Sequence, residues 1–286
     1  MDGIQNLSDT IREAGLNKYD LAVMSDEGIQ YARLQPGNRC CNSYSVAKAF
    51  TMTAVGMLWD EGKLDLEDSI ADIMGFREPA WRQVTVHHAL THRIGYGKGL
   101  LDIDVDDVRS YGTQDYLYYA LHQALPFAPG ERRVYTDAAY YILSRLVTRL
   151  TGRGLDDFLM ERLFAPMEFA EMAWSRCPMG YCMGATGLYI SAEDMVKLGW
   201  LYANDGVYSG TRLISGNWVR LALDRAYEFA PLGDTGLVGK GGMYGQMLLF
   251  DREKRMAAAW HGFDETGDQW PLIRMIARGS GSSPEL

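Results

Sequence analysis

The chain has 286 residues, 47% of them hydrophobic, enough to bury a large core in one unit or in two interlocked parts. A formal net charge of −9 excludes a polyanion partner, because nucleic-acid binding needs clustered Lys and Arg and no basic stripe is present. No apolar run approaches the roughly 18 residues of a membrane span, and Met1–Leu7 lacks a basic segment, an apolar stretch and a cleavage site, so a cytoplasmic protein without a membrane partner is expected.

In chain order, Tyr19–Met24 and Ile29–Leu34 read as two short strands around the turn Ser25-Asp26-Glu27-Gly28. A loop from Pro36 to Asn42 follows, containing the adjacent Cys40 and Cys41. With Cys177 and Cys182 these do not form the spacing of a secreted disulfide framework, and four free thiols are expected. Val46–Glu61 carries apolar residues at Ala47, Phe50, Ala54, Met57 and Leu58, the stripe of a buried helix, and Gly62 ends it. Ser45 and Lys48 sit at i and i+3 at the start of that helix. This spacing lets the amine lie against the hydroxyl and activate it as a nucleophile. Taken alone, Ser45 could equally be an N-cap.

His88 and His92, four residues apart, suggest a zinc pair, but the glutamate base and a third ligand are missing, so no metal is expected. Tyr116, Tyr118 and Tyr119 read as packing on a helix. Further on, Pro129–Leu143 places Tyr135 two residues before Asp137, which opens another helix. Gly239-Lys240-Gly241-Gly242-Met243 precedes the apolar strand Met247–Phe250. This glycine-rich stretch matches neither a phosphate loop nor a dinucleotide fingerprint, so no cofactor is expected. A last helix is expected at about 267–278, then a flexible tail.

The trio Ser45-Val46-Ala47-Lys48, Tyr135-Thr136-Asp137 and Lys240-Gly241-Gly242 resembles the serine β-lactamase and penicillin-binding-protein superfamily, nearest its class C β-lactamase, esterase and D-amino-peptidase branch. The stretches Gly62–Asp68, Val84–His92 and Gly187–Met195 are similar to the same family, in its order, over roughly residues 15 to 275. The resemblance implies an α+β fold, an antiparallel sheet flanked by N- and C-terminal helices with an inserted all-helical part. The expected layout is one catalytic domain over 1–286. Its α/β part covers about 1–60 and 185–278, its helical part about 61–184, and its tail 279–286.

The resemblance also implies a serine hydrolase that cleaves a small ester or amide through an acyl-serine. Ser45 is the nucleophile in that reading. Lys48, its pKa lowered by burial and a neighbouring cation, shares the serine proton with Tyr135, and Lys240 flanks the tyrosine. The backbone N–H groups of Ser45 and Met243 form the oxyanion hole. Asp137, Gly241 and Gly242 contact substrate. A peptidase for D-amino-acid or N-acyl substrates, a weak β-lactamase and an acyltransferase are alternatives of the same fold; a non-catalytic ligand-binding or scaffold protein is the alternative of another class.

Three departures bear on substrate. Asp137 stands where the family has asparagine, so an amide that both donates and accepts becomes an acceptor that could pair with Lys48, with Lys240 or with a substrate amine. Gly241 replaces a threonine that helps hold a substrate carboxylate. Loops at about 173–185 and 226–238 are short. His261 fits the third motif less well than Lys240 and is expected to be a strand residue.

Overall fold

The computed structural model describes residues 2–264 and 268–279; the expected tail beyond Gly279 lies outside the described residues. The strands are β1 Lys18–Ser25, β2 Gly28–Arg33, β3 Cys41–Asn42, β4 Met172–Trp174, β5 Leu188–Ile190, β6 Val207–Tyr208, β7 Thr211–Arg212, β8 Ala230–Pro231, β9 Val238–Gly241, β10 Met247–Asp251 and β11 Met256–Gly262. The helices are α1 Asp2–Glu13, α2 Ala47–Asp60, α3 Ile70–Met74, α4 Val86–Leu90, α5 Tyr116–Leu121, α6 Asp137–Thr151, α7 Leu155–Leu159, α8 Ala192–Ala203, α9 Gly216–Asp224 and α10 Trp270–Arg278.

β1 and β2 form the expected hairpin, closing at the Ser25–Gly28 pair. The chain ends meet in one antiparallel sheet of order β2-β1-β11-β10-β9-β8. Successive residues on a strand face opposite sides, and here both sides are apolar. Leu21, Leu249, Ala258 and Trp260 pack with Leu7, Ile11, Leu272 and Ile276 of α1 and α10. Ala22, Leu248, Ala257 and Ala259 join Met195, Val196 and Leu198 of α8 in the larger core on the other side. Gly199 permits this close helix-to-sheet approach, since a Cβ there would come within 2.9 Å of Leu248 and 3.0 Å of Ala257.

α2, linked to α8 by the Thr53 and Tyr202 hydroxyls at 3.0 Å, packs in the same core as α6 of the inserted, mostly helical stretch. α2 buries 12 of its 14 residues, which explains an apolar character on all sides rather than one stripe. The insertion also contributes β4, which the sequence reading placed within helical chain. In the small sheet β3-β5-β4, Ser43 N–H donates to Leu188 O at 2.8 Å, so this sheet anchors the residues just before α2.

Candidate active site

α2 is preceded by a 3-10 turn, Tyr44–Val46, that carries Ser45. Tyr44 adopts φ +46°, a left-handed conformation uncommon for an aromatic residue. It is held there by its N–H donating to Asn42 Oδ1 at 2.9 Å and by an edge contact with the Tyr244 ring at 5.0 Å. Ser45 does not act as a cap: Lys48 Nζ donates to its Oγ at 3.1 Å and Tyr135 OH donates to it at 2.9 Å.

Lys48 is fully buried and uses all three of its protons. Besides Ser45 it reaches Ala185 O at 3.0 Å and Asp137 Oδ1 at 2.7 Å. The carbonyl segment is pinned: Gly184 takes φ +70° where a Cβ would lie 2.5 Å from Tyr140 O, and Thr51 Oγ1 donates to Gly184 O at 2.7 Å. Burial pushes the Lys48 ammonium down, but the Asp137 carboxylate, with Tyr135 and Glu228, more than reverses this and holds it well above the ordinary lysine range. The expectation of a lowered Lys48 pKa is therefore corrected. The sequence shows the burial but not that the second motif delivers a carboxylate to this amine.

Asp137 is the first residue of α6, and its carboxylate turns to Lys48 rather than capping; Thr136 occupies the cap position. Tyr135, just outside, is 40% exposed and so open to a ligand. Separations of 90 and 105 residues along the chain close up here, because Lys240 Nζ donates to Tyr135 OH at 3.3 Å. Gly242, after β9, packs against the nucleophile turn. A Cβ there would lie 2.9 Å from Ser43 O and 2.6 Å from Gln246 Oε1, whereas one at Gly241 would meet Met247 Cε at 3.6 Å and Gln246 O at 3.7 Å, both ordinary contacts. The missing threonine at 241 is thus not imposed by space. Met243 follows in the turn between β9 and β10, 41% exposed.

Two residues of this cluster were not singled out as site residues. Glu228, 5% exposed, pairs through Oε2 with Lys240, and through Oε1 it accepts from His92 Nε2 at 3.0 Å. Burial opposes its charge, but Lys240 and the His92 bond together hold the carboxyl well below the usual range. The signal available was a lone glutamate framed by apolar neighbours in Tyr227-Glu228-Phe229, both of which are buried; such a charge needs a partner. It lies in the segment read as a shortened loop.

The zinc pair is not formed. α4 ends at Leu90, and His92 lies beyond it with φ +56°. Its ring accepts from Thr136 N–H at Nδ1, while His88 Nδ1 closes a capping box with Thr85. Among the described residues, Asp102, Asp104 and Asp137 have ligand oxygens within 4.8 Å of one another. Lys48 pairs with Asp137, and Thr186 Oγ1 donates to Asp104. His261 is a buried strand residue paired with Asp20. Tyr116 is buried, Tyr119 packs on Tyr111, and exposed Tyr118 stacks on His122. A surface cleft of about 740 Å³, lined by Trp200, Arg212 and Arg255 among others, contains none of these residues.

A hydroxyl joined to a lysine and a tyrosine at the start of a buried helix, facing a sheet lysine, defines the serine β-lactamase and penicillin-binding-protein class. Residues 30–262 match the family described as Beta-lactamase, and the chain belongs to that family. It is 30% identical over 275 residues to penicillin-binding protein 4 of Amycolatopsis lactamdurans, spanning 84% of this chain and 69% of that protein. It spans 63% of the length of two Mycobacterium tuberculosis relatives. The fold is shared with a penicillin-binding-protein homologue of Caulobacter crescentus (TM-score 0.74, 17% identity, 96% of this chain and 97% of that one). It is also shared with a family VIII carboxylesterase (TM-score 0.76, 17% identity, 98% and 96%). Among the described residues no helix is long and apolar enough to cross a membrane.

Proposed function

We propose that the protein is a serine hydrolase that cleaves a small ester or amide through an acyl-serine at Ser45. The observation that carries this reading is the simultaneous contact of Ser45 Oγ with Tyr135 OH at 2.9 Å and Lys48 Nζ at 3.1 Å. The Asp137 carboxylate at 2.7 Å favours the charged form of Lys48, so the base role is assigned to Tyr135. In the reactive form the Tyr135 oxygen, as phenolate between the two lysines, takes the serine proton while Oγ bonds to the substrate carbonyl carbon. Lys48 and Lys240 stabilise the negative charge on that oxygen before the transfer and after each later release.

The Ser45 and Met243 amides are the proposed donors to the oxyanion. Collapse breaks the bond to the leaving group, which takes the proton from Tyr135. Water then repeats the sequence, with Tyr135 accepting its proton and returning one to Ser45 Oγ. β8 pairs with β9 at Val238 and Gly239 only, and the Lys240–Gly241 edge beyond that pairing is the proposed contact strand for substrate. Esters are favoured over amides because their leaving groups need less protonation.

A second reading concerns the acyl group. Asp102 and Asp104 stand beside Asp137, and among the described residues one ammonium, Lys48, pairs with this group of carboxylates. This favours a substrate bearing an amine near the scissile carbonyl, as a D-amino-acid peptidase would use.

Intact-protein mass after treatment with a fluorophosphonate, a nitrophenyl ester series and a penicillin, with Ser45→Ala as control, tests the main reading. A Ser45-dependent adduct is expected. Its absence with every probe would leave a ligand-binding or scaffold protein as the better account. Equal acylation by cationic and neutral esters of the same shape would remove the second reading.

A further inference from the structure

The nucleophile, Lys48, Tyr135 and Lys240 do not account for the buried groups behind them. Thr136 N–H donates to His92 Nδ1 at 3.2 Å, which fixes the imidazole as the tautomer with its proton on Nε2. That proton points at Glu228 Oε1, 3.0 Å away, and the other carboxylate oxygen holds Lys240. Lys240 in turn donates to Tyr135 OH. The His92 ring lies against the Tyr135 ring at 4.5 Å between centroids and against Tyr140 on its other side at 5.2 Å. Burial pushes the imidazole below its ordinary value, so it is neutral and keeps this single donor.

We propose that His92 and Glu228 are positioning residues for acyl transfer: Glu228 fixes Lys240 against the Tyr135 hydroxyl, and His92 fixes both Glu228 and the Tyr135 ring. Neither touches Ser45. The circuit is closed at Thr136, the neighbour of Tyr135, so the backbone that carries the tyrosine also sets the orientation of the imidazole. A lysine on a strand and a tyrosine on a loop are thereby locked to one another through two buried side chains. A misplacement of the reacting groups by about 1 Å costs on the order of a hundredfold in rate, which is the scale of benefit such bracing gives. This assignment rests on the proposed acyl-serine chemistry.

The test is transient kinetics of Ser45 acylation by a nitrophenyl ester, giving the acylation rate constant and the substrate dissociation constant separately. Glu228→Gln keeps the shape and an oxygen for His92 but releases Lys240. It is expected to lower the rate constant about 10- to 100-fold while leaving substrate dissociation within about threefold. Placed in a Lys240→Ala background, the same change is expected to have no further effect, because its influence passes through that lysine.

His92→Gln retains a donor for Glu228 but loses the Thr136 tether and the ring, and a several-fold loss is expected. It also reads the circuit if Glu228→Gln does not fold. An equal loss from Glu228→Gln with and without Lys240, or unchanged acylation in both Glu228→Gln and His92→Gln, would overturn the assignment. Wild-type protein that takes up no acyl group would instead remove the proposed function itself.

Discussion

Lys48 and Lys240 bring ammonium groups to 4.8 and 5.1 Å from the centre of the Tyr135 ring, and each is tied to a buried carboxylate. Lys48 is held by parts close to the sequence motifs: Ser45 one turn earlier on the chain and Asp137 two residues past the tyrosine. Lys240 is held by Glu228, which belongs to no motif, and behind Glu228 stands an imidazole. The difference is one of reserve. If Lys240 is lost, Glu228 still accepts the hydrogen bond of neutral His92 Nε2, whose other ring nitrogen is occupied by Thr136 N–H. Asp137 has no such histidine beside it among its charged neighbours Asp102, Asp104 and Lys48.

Replacing each lysine by methionine tests this contrast most strongly. Lys48→Met is expected to lower Ser45 acylation about a thousandfold, the upper scale for losing one electrostatic stabiliser of a reacting oxygen, and to cost about 3–5 kcal/mol in urea unfolding, because Asp137 is left as an uncompensated buried charge. Adding Asp137→Asn should restore most of the stability and none of the rate. Lys240→Met should also impair acylation but destabilise less. In that variant the imidazole loses an ammonium that lowers its pKa, so its folded value rises from the wild-type one toward the unfolded one. The decline of stability below about pH 6.5 is then shallower than in the wild type. Equal stability losses for the two variants, with the wild-type decline unchanged in Lys240→Met, would break the comparison.

The strand side can be probed through its glycines. Gly242→Ala is expected to cost about 1–3 kcal/mol and to slow acylation, because the new methyl meets the Ser43 carbonyl directly behind the nucleophile turn. Gly241→Ala, with a flexible methionine tip and the Gln246 carbonyl at ordinary van der Waals distance, should leave Tm and rate close to wild type. Parallel thermal melts and nitrophenyl ester assays distinguish the two; identical behaviour would mean that β9 does not seat against the turn.

In the wild-type protein the neutral imidazole sets an acid limit. Burial lowers the His92 pKa in the folded state, so the unfolded chain binds a proton first as pH falls below about 6.5, and stability declines from there until the folded value is reached. His92→Gln should remove that slope from a plot of unfolding free energy against pH. The smallest expected effect is at Asp102, whose carboxyl is pushed up to about 6 by burial and by Asp137, Asp104 and Asp106. Its protonated form favours folding. That contribution is complete below the unfolded value near 3.9 and is lost as pH rises through about 6. Asp102→Asn should therefore raise Tm at pH 7.5 and leave it unchanged near pH 4.

The parts of the site that follow local rules were legible in the sequence. Ser45 and Lys48 share a helix face because of a three-residue spacing, and apolar periodicity marks α2 as buried. The hairpin of β1 and β2 follows from alternation around Asp26-Glu27. Tyr135, Asp137 and Lys240 were found through the order of three short motifs, which says that they belong together but not how they touch. Asp137 was open between two lysines until the fold placed it 2.7 Å from Lys48.

Charge state and bracing depend on neighbours far away in sequence, and only the tertiary structure supplies them. A lysine read as buried is expected to lose its proton; the same lysine with a carboxylate, a carbonyl and a hydroxyl around it keeps it. β4 forms because Met172–Trp174 meets β5, a pairing that no local pattern announces. Glu228 and His92 are separated by 136 residues and meet because β8 and β9 close the sheet edge beside the loop after α4. Sequence thus determined the family, the core helices and the identity of the polar groups, since these rest on spacing and hydrophobic period. The fold decided which polar group faces which, because partner choice in a buried site is set by long-range packing rather than by the residues themselves.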